Sequence, residues 1–179
     1  MIRIQITQGS AEIHPEADFV QIREPHLTTR DLASLVRRIS AKLDPGVPRI
    51  LVRILVNDRA DVAIASGAAG VHLRDHAISP RLIRRIAPPG FIVTVACHDA
   101  DAVRRAEAEG ADYALLAPIF APLSTPLERP PLGLAALRQI VSQVKIPVIA
   151  LGGITAENTP LCIEAGAAGI AGITMFQNR

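Results

Sequence analysis

The chain has 179 residues, of which 49% are hydrophobic and 20% charged, and its formal net charge is +2. This composition excludes a disordered chain, and the length fits one well-buried domain covering residues 1–179. Aromatic residues make up only 3% of the chain, which argues against a stacking platform for nucleic acid. No apolar run approaches the ~18 residues that a membrane span requires.

The two cysteines, Cys97 and Cys162, have neither the spacing of a metal site nor that of a disulfide framework. The N-terminus lacks the layout of a signal peptide. We therefore expect reduced thiols in a cytoplasmic protein. Arginine pairs such as Arg37-Arg38 recur within the predicted helices, which indicates solvated helix faces and not a DNA-binding stripe.

Eight predicted strands alternate with helices along most of the chain. In the first strand, Ile2, Ile4 and Ile6 alternate with polar residues, which is the period of a half-buried strand. The predicted strands cover Met1–Thr7, Phe19–Arg23, Arg49–Val56, Ala68–Leu73, Phe91–Cys97, Ala111–Phe120, a run from Pro147, and Ala168–Phe176. Helices are predicted from Thr28 or Thr29 to Asp44, from Ser79 to Pro88, and over Asp61–Ser66, Asp99–Glu109, Gly133–Val144 and Glu157–Ala165.

A glycine followed by alanine precedes three of these strands, at Gly67-Ala68, Gly110-Ala111 and Gly166-Ala167. Repetition of helix, glycine stop and strand indicates an α/β protein with a (β/α)8 TIM barrel. The chain is small for this fold, so we predict a compact barrel in which helix 1 is reduced and helix 8 is missing. An open doubly wound sheet is the alternative.

The run Pro147–Leu151 carries no charge and ends in the glycine pair Gly152-Gly153. Its composition is that of a parallel strand buried on both faces. Glycines at its end let backbone N–H groups approach a ligand, and a helix that begins at or just after Thr155 would favour an anion. The stretch therefore predicts a phosphate site, with a tight turn that binds no ligand as the alternative.

Barrel enzymes carry their reacting groups at the carboxyl ends of the strands. The polar or glycine residues at such positions are Gln21, Arg23, Glu24, Asn57, Asp58, His72, Asp75, His76, His98, Ser124, Thr125, Gly152, Gly153 and Gly172. Gln21 and Arg23 share one side of their strand. An arginine in a barrel mouth needs an anion or a carboxylate partner, and Glu24 is the nearest internal candidate for that partner.

Two further groups invite both a chemical and a structural interpretation. Asp58 and Asp75 are suited to hold Mg²⁺ together, because this ion prefers few carboxylates plus phosphate oxygens, but an Asn-Asp pair is also a common helix cap. His98 is a candidate base, a helix cap or a packing residue. Cys97 is interpreted as part of the core.

Taken in order, these residues resemble the thiamine-phosphate synthase family, which also includes the thiazole tautomerases. The matching stretches are Val20–Glu24, Val56–Arg59, Gly70–Leu73, Gly110–Tyr113, Ala117–Phe120 and Ile149–Ile154. The resemblance implies a (β/α)8 barrel and a synthase that joins hydroxymethylpyrimidine diphosphate to thiazole phosphate, using Mg²⁺ and releasing pyrophosphate. Departure of the diphosphate leaves a carbocation-like pyrimidine, so a metal and cations must gather the negative charge.

The resemblance also implies roles for the strand-end residues. Arg23, Asn57 and His98 would be catalytic, and Asp58 and Asp75 would hold Mg²⁺. Substrate and phosphate binding would fall to Gln21, Ser124, Thr125, Gly152, Gly153 and Gly172. A tautomerase would need no cofactor. We further expect small phosphorylated heterocycles as ligands, no nucleic-acid or membrane partner, and a homo-oligomer, because strands one and eight would lack covering helices.

The sequence departs from the synthase pattern where that pattern carries charge. Pro25 and Thr125 stand where synthases have lysines, and straight counting puts His76 and not Asp75 at the second metal position. The tautomerases have a histidine where this chain has Pro118. Our first hypothesis is a divergent synthase. The alternatives are an isomerase that acts on the thiazole phosphate and a non-catalytic protein that binds a phosphorylated ligand.

Overall fold

The computed structural model describes residues 1–9, 12–43, 52–122 and 129–177. Eight parallel strands form a closed barrel in chain order, and the last strand pairs with the first. This pairing, which places Ile4 opposite Ala171, excludes the open sheet and confirms the predicted barrel. The strands are β1 Ile2–Ile6, β2 Phe19–Ile22, β3 Arg53–Asn57, β4 Gly70–Leu73, β5 Ile92–Cys97, β6 Tyr113–Leu116, β7 Val148–Leu151 and β8 Gly169–Gly172.

Three of the helices begin at the caps that the sequence indicates. Thr28, Ser79 and Asp99 each accept a hydrogen bond from an N–H of the helix that follows. The helices are α1 Thr29–Lys42, α2 Ala60–Ala65, α3 Pro80–Arg84, α4 Ala100–Ala108, α5 Gly133–Val141 and α6 Thr159–Glu164. No helix in the described ranges is long and apolar enough to cross a membrane. The predicted end of the first helix at Asp44 and the start of the third strand at Arg49 lie outside the described residues.

Two apolar layers hold the barrel together. The inner layer fills the barrel with alternate residues of several strands, such as Phe19, Leu55 and Ile149. The outer layer lies between the strands and the helices, where one apolar stripe of α1 is buried. Because alternate residues point inward, the polar residues at the ends of the strands meet above the inner layer.

A pinned loop replaces helix 1. Among the residues that the structure describes between β1 and β2, none is helical. Gln5, which is buried, donates through Nε2 to the carbonyl of Glu12 at 2.7 Å and accepts the N–H of His14 at 2.8 Å. These bonds satisfy the Gln5 amide and hold the loop against the barrel. The first helix is therefore reduced, as predicted.

Two strands end four residues earlier than predicted. The eighth strand was expected to reach Phe176 but ends at Gly172, and a 3₁₀ turn follows over Thr174–Phe176. The turn buries the Phe176 ring in the outer layer, edge-on to His14 with ring centroids 5.5 Å apart. The sixth strand ends at Leu116 because the backbone then bonds to the end of β7, where the N–H of Ile119 donates to Leu151 at 2.9 Å.

Candidate active site

A cavity of about 700 Å³ opens at the carboxyl ends of the strands. Its volume is that of an ordinary small-molecule site. Eight of the predicted site residues line it: Gln21, Arg23, Asn57, Asp58, His98, Gly152, Gly153 and Gly172. Asp75 does not line it. The predicted binding residues Ser124 and Thr125 lie outside the described residues.

A buried amide pair forms one wall of the cavity. Gln21 is only 2% exposed, and its Nε2 donates to Oδ1 of Asn57 at 2.9 Å. Oε1 of Gln21 has no hydrogen-bond partner among the described residues. A buried carbonyl without a partner costs free energy, so this oxygen is suited to accept a hydrogen bond from a ligand.

His72 lies beside this pair, and its role was not predicted. Its Nδ1 lies 2.8 Å from Oγ1 of Thr94, and both side chains are buried. Burial, with a smaller contribution from the charge of Arg23, lowers the pKa of His72 from 6.5 to about 4. The ring is therefore neutral near pH 7. The sequence places His72 at a strand end, but its neutrality depends on the tertiary surroundings.

Arg23 does not pair with Glu24, which was one of the two predicted possibilities. Glu24 instead accepts the hydroxyl of Thr7 at 2.8 Å and the N–H of Gly9 at 3.0 Å. The Thr7 hydroxyl oxygen in turn accepts the N–H of Arg23 at 3.0 Å. This network fixes the Arg23 backbone, while its exposed guanidinium has no carboxylate partner in the described part of the chain. The other predicted partner, an anion, is thus the one that the geometry favours.

The imidazole of His98 has a defined tautomer. Its Nδ1 lies 2.8 Å from the carbonyl oxygen of Ala117. A carbonyl can only accept, so Nδ1 must carry the proton and Nε2 of the neutral ring is left as an acceptor. His98 therefore offers the cavity one nitrogen that can accept a hydrogen bond or a proton.

Asp58 is held by a neighbouring arginine. It follows β3 with φ of +57°, in the left-handed region that Asp tolerates better than most residues. Arg59 and not Asp58 occupies the N-cap of α2, so the helix-cap interpretation of Asp58 does not hold. The Asp58 carboxylate lies 2.5 Å from Nη2 of Arg74, which also lines the cavity.

The structure does not bring Asp75 to Asp58, contrary to the predicted metal pair. Asp75 accepts a hydrogen bond from Arg105 of α4 at 2.7 Å and lies 3.6 Å from Nε2 of His76. Asp75, His76 and Arg105 line a second, separate cavity. The arginine attracts the Asp75 carboxylate away from the barrel mouth because it provides an opposite charge across a partly buried contact. Neither candidate for the second metal position therefore reaches the site.

These contacts decide how well Mg²⁺ fits. The ion is commonly held by one or two carboxylates together with phosphate oxygens. Within the described ranges, no group of three or more His, Cys, Asp or Glu side chains is arranged to hold a metal. Asp58 is already neutralised by Arg74. Of the predicted pair, only Asp58 lies at the mouth, so the described residues do not by themselves form a magnesium site held by the protein.

Close packing against the chain after β6 accounts for the two glycines at the end of β7, whether or not a ligand binds there. Gly152 and Gly153 have φ of +91° and +63°, which L side chains rarely adopt. A Cβ atom on Gly152 would lie 2.7 Å from Cα of Pro118, and one on Gly153 would collide with the carbonyl oxygen of Ala121. The missing Cβ atoms thus make room for the chain that follows β6. This contact could not be read from the glycines alone.

The helix after β7 begins later than predicted. It starts at Thr159, and the N–H of Thr155 already donates to Oδ1 of Asn158 at 2.9 Å. Thr155 is therefore not the anion-binding helix end that was expected. Free N–H groups lie instead on both sides of it: those of Gly153, Ile154, Ile173 and Thr174 donate to no acceptor in the parts of the chain described, and all four residues line the cavity.

We name these four N–H groups the phosphate cradle, because phosphate is the ligand that the sequence predicts near the end of β7. They come from the segments that follow β7 and β8, where barrel enzymes frequently bind phosphate. Gly172 precedes two of them, and a Cβ atom there would touch only the flexible side chain of Met175. Packing therefore requires glycine less strictly at position 172 than at positions 152 and 153.

Neither cysteine is a nucleophile in this site. Both are free and buried. Burial, with a smaller contribution from Asp75, raises the pKa of Cys97 to about 12, and burial also raises the pKa of Cys162. The thiolate is the reactive form, so both thiols are inert at neutral pH. The prediction that Cys97 belongs to the core is confirmed.

Comparison with known proteins gives concordant matches. The family model described as "Thiamine monophosphate synthase" matches residues 5–176. Thiamine-phosphate synthase from Methanoculleus marisnigri is 45% identical over 161 residues, which is 88% of this chain and 73% of that relative. Thiamine-phosphate synthase from Anaeromyxobacter dehalogenans is 39% identical over 163 residues, covering 91% of this chain and 71% of that relative. The solved structure of thiamine phosphate pyrophosphorylase from Pyrococcus furiosus has a TM-score of 0.78 at 29% identity and covers 97% of this chain and 85% of that one.

Proposed function

Because this chain belongs to the thiamine monophosphate synthase family, we propose that it is a transferase that couples hydroxymethylpyrimidine diphosphate to thiazole phosphate. The bond between the pyrimidine methylene carbon and the diphosphate oxygen breaks, and its electrons leave with the diphosphate. The lone pair of the thiazole nitrogen forms the new carbon–nitrogen bond. The products are thiamine phosphate and pyrophosphate.

One observation carries this proposal. A single cavity has the phosphate cradle on one side and, across the barrel mouth, a polar wall that contains Arg23 and Asn57. The cradle suits the phosphate of the thiazole, because free N–H groups bind anions. The free acceptor of Gln21 and the Nε2 of His98 suit the hydrogen-bond donors of a pyrimidine. Arg23 faces the group that leaves with negative charge.

In this proposal the side chains and N–H groups of the cavity bind and orient the substrates and stabilise charge, and no step is assigned to a bound metal. Gln21 and His98 orient the pyrimidine, and the cradle orients the thiazole, so that the two reacting atoms meet in one geometry. Arg23 stabilises the charge that develops on the leaving oxygen. Magnesium stays a prediction, and it is included in the assay because diphosphates bind it in solution.

The direct test is a coupling assay on the purified protein with both substrates and Mg²⁺. We expect thiamine phosphate and pyrophosphate in equal amounts. Arg23→Ala should lower kcat/KM by about 10- to 100-fold, since charge-assisted hydrogen bonds contribute about 1.5–3 kcal/mol. Arg37→Ala, which changes an exposed arginine of α1, is the matched control and should be unchanged. Failure to form thiamine phosphate would overturn the proposal.

A further inference from the structure

We propose that Arg74 and Arg129 hold the diphosphate, so that guanidinium groups supply the positive charge of this site. The inference rests on the proposed function for the identity of the anion as a leaving group. Both arginines line the same cavity as Arg23. Neither was identified from the sequence, because each lies in a segment whose course depends on the assembled barrel.

Arg74 is placed to contact a ligand in the mouth. It follows β4 directly, and its side chain is 75% exposed. Among the described residues, the one ion-pair partner of its guanidinium is the carboxylate of Asp58, reached through Nη2 at 2.5 Å. A guanidinium has five N–H donors in a planar fork, so most of them are left for a second anion.

Arg129 adds a second cation from the segment between β6 and α5. It is exposed, and its guanidinium has no carboxylate partner in the parts of the chain described. Arg59 also lines the cavity but differs, because Asp61 binds it at 2.7 Å, raises its pKa and occupies two of its nitrogens. Arg129 is thus available where Arg59 is not.

The charges around the cavity leave an excess of cations. Glu24 and Asp58 are the carboxylates among the described lining residues, and both already have partners. Three guanidiniums, those of Arg23, Arg74 and Arg129, then face a space without a competing free carboxylate. A diphosphate carries several negative charges and accepts bidentate hydrogen bonds, which is the ligand that arginines recognise best.

The lack of a metal site held by the described residues alone points the same way. Asp75 is engaged by Arg105, and Asp58 is engaged by Arg74 itself. Charge on a departing diphosphate must be balanced by something in the site. Two arginines beside Arg23 provide that balance from residues that the structure places at the mouth.

The test is calorimetric titration of inorganic pyrophosphate in buffer with a chelator and no divalent metal. We expect the unmodified protein to bind, and Arg74→Ala and Arg129→Ala each to weaken binding by about tenfold or more. Arg74→Lys and Arg129→Lys should recover part of the loss, since they keep the charge and lose the fork. The control Arg37→Ala should bind like the unmodified protein. Absence of metal-free binding, or binding unchanged in both alanine variants, overturns the inference.

Weaker pyrophosphate binding by Arg74→Ala has an alternative explanation, which a further variant tests. Removing Arg74 uncovers the Asp58 carboxylate, which would repel the anion even if Arg74 never touched it. The double variant Asp58→Asn, Arg74→Ala removes that repulsion. Weak binding by the double variant supports direct contact from Arg74, whereas binding restored to the unmodified level overturns the role of Arg74.

The coupling assay separates this inference from the proposed function. If thiamine phosphate forms and neither alanine variant raises the KM for the pyrimidine diphosphate, the inference fails and the function stands. If no thiamine phosphate forms but pyrophosphate binding depends on both arginines, the function fails and the diphosphate site stands.

Discussion

At the scale of single residues, the site combines exposed guanidinium groups with several fixed polar groups. Arg23 has an anchored backbone and an exposed guanidinium, so its charged end can follow a ligand. Gln21, His72 and His98 are each held by a hydrogen bond in or beside the barrel. Fixed groups of this kind orient a substrate at little entropic cost during binding.

His98 tests whether the reaction needs a proton acceptor. Coupling through the thiazole nitrogen moves no proton to the enzyme, so His98→Ala should lower kcat only about tenfold, the effect of losing one positioned hydrogen bond. His98→Gln should recover part of that loss. A fall of about 100-fold or more in coupling would indicate general base catalysis, and loss of proton exchange in the same variant would support the isomerase alternative. The measurement is steady-state coupling, run beside proton exchange on the thiazole phosphate.

His72 makes the fold sensitive to acid. Its pKa is about 4 when folded and near 6.5 otherwise, so the unfolded chain binds more protons between these values. Stability therefore falls as pH drops through this window, by on the order of 3 kcal/mol at pH 4 relative to pH 7. His72→Gln should remove this part of the loss in urea unfolding measured across pH. His26→Gln, at a side chain 70% exposed, should not. If the free energy of unfolding falls with pH equally in the unmodified protein and in His72→Gln, His72 is not the source of the acid sensitivity.

At the scale of elements, the contact between the end of β7 and the chain after β6 shapes the mouth. The N–H of Phe120 donates to the carbonyl of Gly152 at 3.0 Å, and that of Ile119 donates to Leu151. The backbones approach this closely only because Gly152 and Gly153 lack side chains. The phosphate cradle therefore depends on packing between two neighbouring strand ends.

Gly153→Ala measures that dependence. Left-handed backbone alone costs an alanine about 1–2 kcal/mol, and the collision with Ala121 should add to it. Gly90→Ala is the matched control, because Gly90 has φ of +77° but open space around its Cβ position. Urea unfolding should show a larger loss of stability for Gly153→Ala than for Gly90→Ala. Equal losses would mean that packing adds nothing.

The features that sequence could predict are those set by neighbouring residues. Thr28, Ser79 and Asp99 cap the helices that follow them, and alternation in β1 gives its inward face. Features set by distant residues escaped prediction. Arg105, which lies 30 positions away, determines where the Asp75 carboxylate points.

The same distinction applies inside the site. The hydrophobic pattern of the sequence predicted that Gln21, Asn57 and Gly172 lie at strand ends, and all three line the cavity. The proposed binding role of Arg74 and Arg129 could not be predicted from the sequence, because an arginine in a loop is ordinarily a solvated surface residue. Their position at the mouth appears only when the barrel is assembled.

At the scale of the whole molecule, the basis of the predicted homo-oligomer changes. The outer side of β1 is covered by the loop that Gln5 holds, and Phe176 packs on His14 of that loop, so the reduced helix 1 leaves less apolar surface than expected. Large exposed apolar side chains lie instead along and beside α3, where Ile78, Leu82 and Ile86 are 50%, 46% and 65% exposed. Leu82 lies within α3, and Ile78 and Ile86 flank its two ends, so the three form an exposed apolar group around this short helix.

The oligomer stays a prediction, now located at α3. Light scattering should give a mass that is a multiple of 19.1 kDa, and Leu82→Glu should reduce it to that of one chain. Leu161→Glu, at a similarly exposed leucine of α6, should leave the mass unchanged. A single-chain mass for the unmodified protein would contradict the prediction.

Closure of the barrel has a consequence for the order of folding. β1 and β8 are neighbours in space, yet nearly the whole chain separates them, so their pairing carries a large loop-closure cost and should form late. Until then each of these strands has an open edge on which other chains can assemble. Half of the phosphate cradle follows β8, and the Thr7 hydroxyl that anchors Arg23 follows β1. Ligand binding at this mouth therefore reports that the final step of folding is complete.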